Sequence, residues 1–333
     1  MLSSTSSSKD RIGEVRLGRA WLLAAVGVVA LLTPWELHWR AAGFEPNLRD
    51  SARLWATLRK RASRQGPAAI VLVGASRMQL DVALDVAEEI AGRRPIQLAI
   101  DGTSPMPVLR DLAEDESFCG TVICSVEVRA LVRGGREAPE RYLAQYREMG
   151  PSDEIETRLS ALVQGSFAST SPGLSPVEVA QKVLGGDSPK PPYAPLQPDR
   201  SRAADYTMTD VEKHRAFRVE AVRAAAARGA VPFPAFQASC AELEDLVERI
   251  QGRGGRVILV RLPTSGEHWE TGERLHPKDE YWAYLAGSTQ AQTVHFKDYP
   301  ALDRFDCPDT SHLDGRDAPE FTRALFDMLF RGQ

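Results

Sequence analysis

Apolar positions divide this chain into an N-terminal apolar run, a region of alternating strand-like and helix-like segments, an irregular middle, and a second alternating region. Residues 51–64 place Leu54, Leu58 and Ala62 on one face, which predicts an amphipathic helix with Asp50 as its N-cap. Residues 67–73 form a continuous apolar run bounded by Gly66-Pro67 and Gly74. Such a run suits a strand buried on both faces, as in a parallel sheet. A helical pattern follows over 80–91, then an apolar strand at 96–100, a turn at Asp101-Gly102, a helix at 107–113 and a third strand at 121–128. Strand-helix-strand-helix-strand predicts an α/β sheet with right-handed crossovers.

From about 134 to 202 the pattern breaks. Pro139, Pro151, Pro172, Pro176, Pro189, Pro191, Pro192, Pro195 and Pro198 fall among Ser, Gly and charged residues. This reads as an inserted lobe of short helices and loops that ends in a Pro-rich linker. The α/β pattern then resumes, with long helices at 211–228 and 235–251, strands at 256–260 and 292–296, and a closing helix at 318–330. The closing helix turns Phe321, Leu325, Met328 and Leu329 inward. One α/β domain over 44–333 with an inserted lobe accounts for this better than two independent domains.

The N-terminus stands apart. A Ser-rich leader and the basic residues Lys9, Arg11, Arg16 and Arg19 (residues 1–19) precede an uncharged run, AWLLAAVGVVALLTPW, at 20–35. That run predicts a transmembrane signal-anchor over 20–37, slightly short at about 1.5 Å per residue for a hydrocarbon core of about 30 Å. Trp21 and Trp35 suit the membrane interfaces, and the basic leader assigns it to the cytoplasm. The rest of the chain is then expected outside the cytoplasm. A cleaved signal peptide ending at Ala41-Ala42-Gly43 is the alternative, opposed by the bulky Trp39 and charged Arg40 beside that site.

Among 333 residues, 43% are hydrophobic and 26% charged, and the net charge is −4. No basic face is expected, so nucleic acid is not an expected partner. No zinc-type Cys/His spacing occurs, and neither a metal nor an organic cofactor is implied. Cys119, Cys124, Cys240 and Cys307 allow three pairings or none, and Cys119–Cys124 is one candidate local bridge.

Two short motifs carry candidate chemistry. Gly74-Ala75-Ser76 leaves the first strand, where an open parallel sheet collects its ligands. Asp309-Thr310-Ser311-His312 precedes the closing helix. A serine hydroxyl needs a base within hydrogen-bond reach, and His312 supplies one. Asp309 would hold the imidazole tautomer. Ser76 and Gly102, after the first and second strands, would offer backbone N–H groups to an oxyanion. Read singly, each motif is more often a turn, a cap or a surface histidine; order and placement raise them together. Arg261, Thr264, Ser265 and Trp269 open at the same edge and are candidate substrate-binding residues. The alternative for Arg261 is a pair with Glu267 or Asp309. His268 rivals His312 as base but lacks a carboxylate at the same spacing.

The arrangement resembles the SGNH/GDSL hydrolase superfamily over most of the exported domain, apart from the lobe. Gly74-Ala75-Ser76-Arg77 matches the first block, with Ser76 as nucleophile. Gly102 matches the oxyanion glycine of the second, and Asp309 and His312 the last block's Asp-x-x-His. The third block departs: Cys124-Ser125-Val126-Glu127-Val128-Arg129 carries no oxyanion asparagine, and Glu127 would repel an oxyanion. The departure resembles the divergent, membrane-anchored branch with alginate O-acetylation and teichoic-acid D-alanylation proteins. The resemblance implies a flavodoxin-like parallel sheet sandwiched by helices. It also implies an exported serine esterase or O-acyltransferase acting on a cell-envelope or extracellular glycan ester, in the periplasm, with a multi-spanning acyl-export protein as candidate partner. The competing expectation is a catalytically silent glycan-binding or assembly factor that kept the fold.

Overall fold

The apolar runs become strands of a single sheet. In the computed structural model, which describes residues 14–132 and 137–331, these strands are β1 (Ile70–Val73), β2 (Ile96–Gln97), β3 (Thr121–Ser125), β4 (Arg256–Arg261) and β5 (Gln292–His295). All pairings are parallel, in the order β2-β1-β3-β4-β5. Successive side chains alternate between the two faces. Val71, Val73, Val122, Cys124, Val257 and Leu259 enter one buried layer; Ile70, Leu72, Ile123, Ile258, Val260 and Val294 enter the other. Burial on both faces explains why the strands read as unbroken apolar runs.

The first half supplies helices α1 (Glu14–Ala41), α2 (Ala52–Gln65), α3 (Ser76–Leu80), α4 (Leu84–Ala91), α5 (Met106–Glu114) and α6 (Val128–Val132). The middle forms α7 (Glu137–Glu148), α8 (Pro151–Gln164) and α9 (Pro176–Leu184). The remainder forms α10 (Val211–Ala226), α11 (Phe233–Gln251), α12 (Gly266–Leu275), α13 (Ala283–Gly287), α14 (Pro300–Asp303) and α15 (Ala318–Phe330). Helices α2, α5, α7 and α11 cover one face of the sheet, through Trp55, Leu109, Leu143 and Phe236 among others. Helices α4 and α15 cover the opposite face, through Leu84, Phe321 and Leu325. Connections leave β1 toward β2 on one side and β3 on the other. The carboxyl ends of β1 and β3 therefore flank the crevice where the strand order reverses.

Several expectations change. Ser51, not Asp50, caps α2, its hydroxyl accepting the Leu54 N–H at 3.2 Å. Asp50 instead accepts two bonds of 2.8 Å from the fully buried Arg200, which also donates to the Gln97 carbonyl at 3.0 Å. The expected helix at 80–91 is broken between α3 and α4, because Asp81 turns inward to accept the Leu313 N–H and Ala83 N–H donates to Thr322 Oγ1. All four cysteines are free. Cys119 and Cys124 are five positions apart with Thr121–Cys124 extended in β3, about 16 Å at strand rise, well beyond the roughly 7 Å a disulfide spans. Helix α7 belongs to the body, since Tyr142 and Leu143 join its core.

The leader with Lys9 and Arg11 lies outside the described residues, as does the start of the expected lobe at 134–136. Helix α1 outruns the expected span: within residues 18–41 the most apolar 18-residue stretch has mean hydropathy 1.7, and none of that stretch is buried. Those 24 residues reach about 36 Å, enough to cross a membrane.

Candidate active site

The site is assembled by two turns whose conformations the sequence dictates. At the end of β1, Gly74 takes φ +152°, and a Cβ there would lie 2.9 Å from Ser125 Cβ. Glycine thus lets β1 exit tightly against β3 before the chain enters α3, whose first residue is Ser76. The second turn is the 309–312 loop. Asp309 Oδ1 accepts the N–H groups of Ser311 at 2.9 Å and His312 at 2.8 Å, folding the loop around its own carboxylate. Thr310 sits at φ +71°, in the left-handed region that few non-glycine residues adopt. The turn is held from outside by Thr310 N–H on the Cys307 carbonyl, Ser265 N–H on the Thr310 carbonyl and Leu313 N–H on Asp81.

These turns bring three residues from opposite ends of the domain into one relay. His312 Nδ1 lies 2.9 Å from Asp309 Oδ2, and His312 Nε2 lies 2.8 Å from Ser76 Oγ. An ionised carboxylate only accepts, so Nδ1 carries the proton and Nε2 accepts from the serine hydroxyl. Asp309 and His312 are fully buried, while Ser76 is half-buried.

Burial pushes the Asp309 carboxyl up. Its bonds from His312 and from the two backbone N–H groups outweigh that and hold it well below the usual carboxylate range. Arg218 of α10 adds a contact at 3.3 Å to Asp309 Oδ2. For His312 burial wins: its pKa falls below the ordinary value although Asp309 raises it. The imidazole is therefore neutral at pH 7, the form a base requires.

A charged cluster lies beside the relay. Glu127, just past β3, pairs with Arg77 at 2.9 Å and Arg261 at 3.3 Å. Burial opposes its charge, but the two guanidiniums keep it ionised far below the ordinary glutamate value. Arg77 also donates to the Ser311 carbonyl at 2.9 Å and hydroxyl at 3.0 Å, so it braces the histidine loop from the residue after the nucleophile. Burial lowers Arg261 to about 10 despite Glu127. His268 Nε2 lies 3.0 Å from Arg77 Nη2. Arg77 only donates, so it occupies the Nε2 lone pair, and the Ser76 hydroxyl bonds His312 instead, which removes His268 as a rival base. Burial and that guanidinium push its pKa down to about 3.

The remaining candidates divide. Gly102 takes φ +68° and lines a cavity of about 490 Å³ together with Glu127, Arg218, Arg261, His268 and Trp269. Neither Ser76 nor His312 lines this cavity; it adjoins the relay through Arg218 and His268. Trp269 also packs edge-on against Phe296, with Lys297 above its ring. Thr264 backs Arg261 at 3.3 Å. The Ser265 hydroxyl is taken up by the Cys307 backbone, donating to its carbonyl at 3.1 Å and accepting its N–H at 3.2 Å, so its role is to tie two loops. Arg261 pairs with neither expected alternative: Glu267 is held by Arg223 and Asp309 by Arg218.

Sequence reasoning did not find Arg218. Helix α10 buries none of its residues against the sheet, and it docks over the site through Arg215 on the Pro308 carbonyl, Arg218 on Asp309 and Arg223 on Glu267. Spacing on one side of the helix was the signal available. The expected repulsion at Glu127 is also resolved: the exits of β1 and β3 are neighbours, so a carboxylate after β3 meets the arginine after Ser76. No protein-family model matches the chain, and no curated protein is similar to it in sequence.

Proposed function

We propose that this chain is an SGNH-type serine esterase or O-acyltransferase that works through an acyl-serine. The observation that carries the reading is the continuous Ser76–His312–Asp309 relay, with both hydrogen bonds formed. Ser76 Oγ attacks the ester carbonyl and its proton passes to His312 Nε2. The amide N–H groups of Ser76 and Gly102 are the candidate donors to the oxyanion. As the C–O bond breaks, His312 returns the proton to the leaving alcohol, and Asp309 stabilises the imidazolium in between. Water or a sugar hydroxyl then gives its proton to His312 and attacks the acyl carbon; as the acyl–Oγ bond breaks, His312 returns that proton to Ser76. Hydrolysis and transfer share this intermediate.

Strand order supports the resemblance, since the nucleophile follows β1 and the Asp-x-x-His motif precedes the last helix of a β2-β1-β3-β4-β5 sheet. Glu127 stands where the family's asparagine would be. Its pairing with Arg77 and Arg261 cancels the negative charge that would oppose an oxyanion. A cell-envelope or extracellular glycan ester is the substrate class the resemblance brings, and the adjoining cavity offers room for one arm of it. Helix α1 supports a membrane anchor; an outward-facing domain and a multi-spanning acyl-export partner are what the resemblance brings. A silent glycan-binding factor would have no need to keep Ser76 within 2.8 Å of His312.

The test is trapping of the intermediate. After brief reaction of the full chain with p-nitrophenyl acetate and an acid quench, an acetyl group is expected on the peptide containing Ser76, and on no peptide of Ser76→Ala. Acetylation at another residue, or equal turnover by Ser76→Ala, would overturn the reading.

A further inference from the structure

Helix α8 carries its amphipathic pattern inside out. Glu154, Thr157 and Ala161 face the body, where Glu154 is held by Arg64 and Arg158. Ile155, Leu159, Leu162 and Val163 recur on one outer face and are 49–65% exposed. Phe167 just beyond α8 is exposed too, as are Val177, Val183 and Leu184 on α9, the last 88%. Large apolar side chains left in water forgo the favourable free energy of burial. A set of exposed apolar side chains of this size marks a surface that something covers.

The position of the set says what covers it. Residues 166–169, directly after α8, clamp the last turns of α1. Arg40 donates to the Ser166 carbonyl at 2.9 Å, and the Glu36 carboxylate accepts the N–H groups of Ala168 and Ser169 at 2.9 and 2.8 Å. Trp39, Phe44, Ala168 and Leu174 close a small core there, with Trp35 and Val179 against it. Helix α1 itself exposes Trp21, Leu22, Leu23, Val26, Val28, Val29, Leu31 and Leu32. The exposed apolar side chains of α8 and α9 thus flank the segment that clamps α1 where its apolar surface ends, beside the half-buried Trp35, a residue type that settles at a membrane interface.

We propose that α8 and α9 are an interfacial foot. Their outer apolar face lies in the headgroup–acyl boundary of the bilayer that α1 spans, about 5–10 Å deep. The body then rests on the membrane at two joined points instead of swinging from one helix. The occupant is lipid, because the face flanks the clamp on a lipid-facing helix and is pinned to its exit.

The test uses the full chain in vesicles of phosphatidylcholine and phosphatidylglycerol, with Cys119→Ser to remove the partly exposed thiol. Single cysteines replace Leu159, Leu184, Val29 on α1, or Glu220 as a control on α10, each bearing an environment-sensitive fluorophore. Quenching by shallow doxyl-lipid is expected to be at least about twofold stronger at 159 and 184 than at 220, with iodide quenching correspondingly weaker. Quenching at 159 and 184 equal to that at 220, while 29 is quenched by lipid, would overturn the foot but leave the anchor. Probes at 159 and 184 shielded from both quenchers would also overturn it, assigning the face to a protein partner or a second copy. A probe at 29 that lipid does not reach would remove anchor and foot together.

Discussion

The 309–312 loop and helix α8 both defy the rule that apolar groups go inside and polar groups outside, in opposite senses. The loop buries an aspartate and a histidine completely, then satisfies both Asp309 oxygens and both His312 nitrogens. Helix α8 exposes four aliphatic side chains and satisfies none of them with protein. Desolvating a carboxylate and an imidazole is costly unless each gains directed partners, and here the partners also orient the imidazole toward Ser76. An exposed aliphatic face has no such internal remedy and needs a different solvent. The difference teaches that a broken pattern which is internally satisfied points to chemistry, whereas one left open points to a surface that meets something else.

Variants can break this comparison at either end. The largest effect is expected from Ser76→Ala or His312→Ala: a loss of p-nitrophenyl acetate turnover on the order of 10⁴–10⁶-fold with the fold intact by circular dichroism. Asp309→Asn keeps shape and size but invites the wrong imidazole tautomer, and a loss of about 10³–10⁴-fold in kcat is expected. Arg77→Met leaves Glu127 with one cation fewer and frees Ser311. A drop of about 10–100-fold in kcat is expected, with about 1–3 kcal/mol less stability in urea unfolding, recovered in part by adding Glu127→Gln. Leu159→Glu should sharpen the contrast, shifting turnover of a soluble ester by less than about twofold and stability by no more than about 0.5 kcal/mol in detergent.

Acid pH probes the buried side of the comparison. His268 and His295 are pushed down to about 3, by burial first and neighbouring cations second, from an ordinary 6.5. Between those values the unfolded chain binds protons that the folded one does not, so the contribution of these two histidines lowers stability as pH drops below about 6.5 and levels off near 3. Equilibrium unfolding at stepped pH checks the sign. The lowered pKa of His312 likewise moves the acid limb of kcat/KM below the ordinary 6.5, because the base stays neutral further into acid.

Much of the sheet was legible because strands buried on both faces leave unbroken apolar runs, as at Ile70–Val73 and Arg256–Arg261. Ser76, Asp309 and His312 were legible because a short turn motif carries its own geometry. What periodicity does not report is which side of an amphipathic helix turns inward. Residues 151–164 contain a polar stripe and an aliphatic stripe, and only the docking of Glu154 onto Arg64 decides between them. The pattern of α10 likewise does not report its docking face, and its contribution to the site, Arg218, depends on a contact 91 residues away in sequence. The cap at Ser51 was missed by one position because Asp50 is drawn off by Arg200, a partner no local signal announces.

The central claim is that Ser76 is an activated nucleophile whose base is His312. Labelling of the full chain in detergent by a fluorophosphonate probe tests it most directly. A covalent adduct on Ser76 is expected in the wild type and absent from both Ser76→Ala and His312→Ala. A well-folded wild type that stays unlabelled, or an adduct that survives His312→Ala at the same rate, would contradict it.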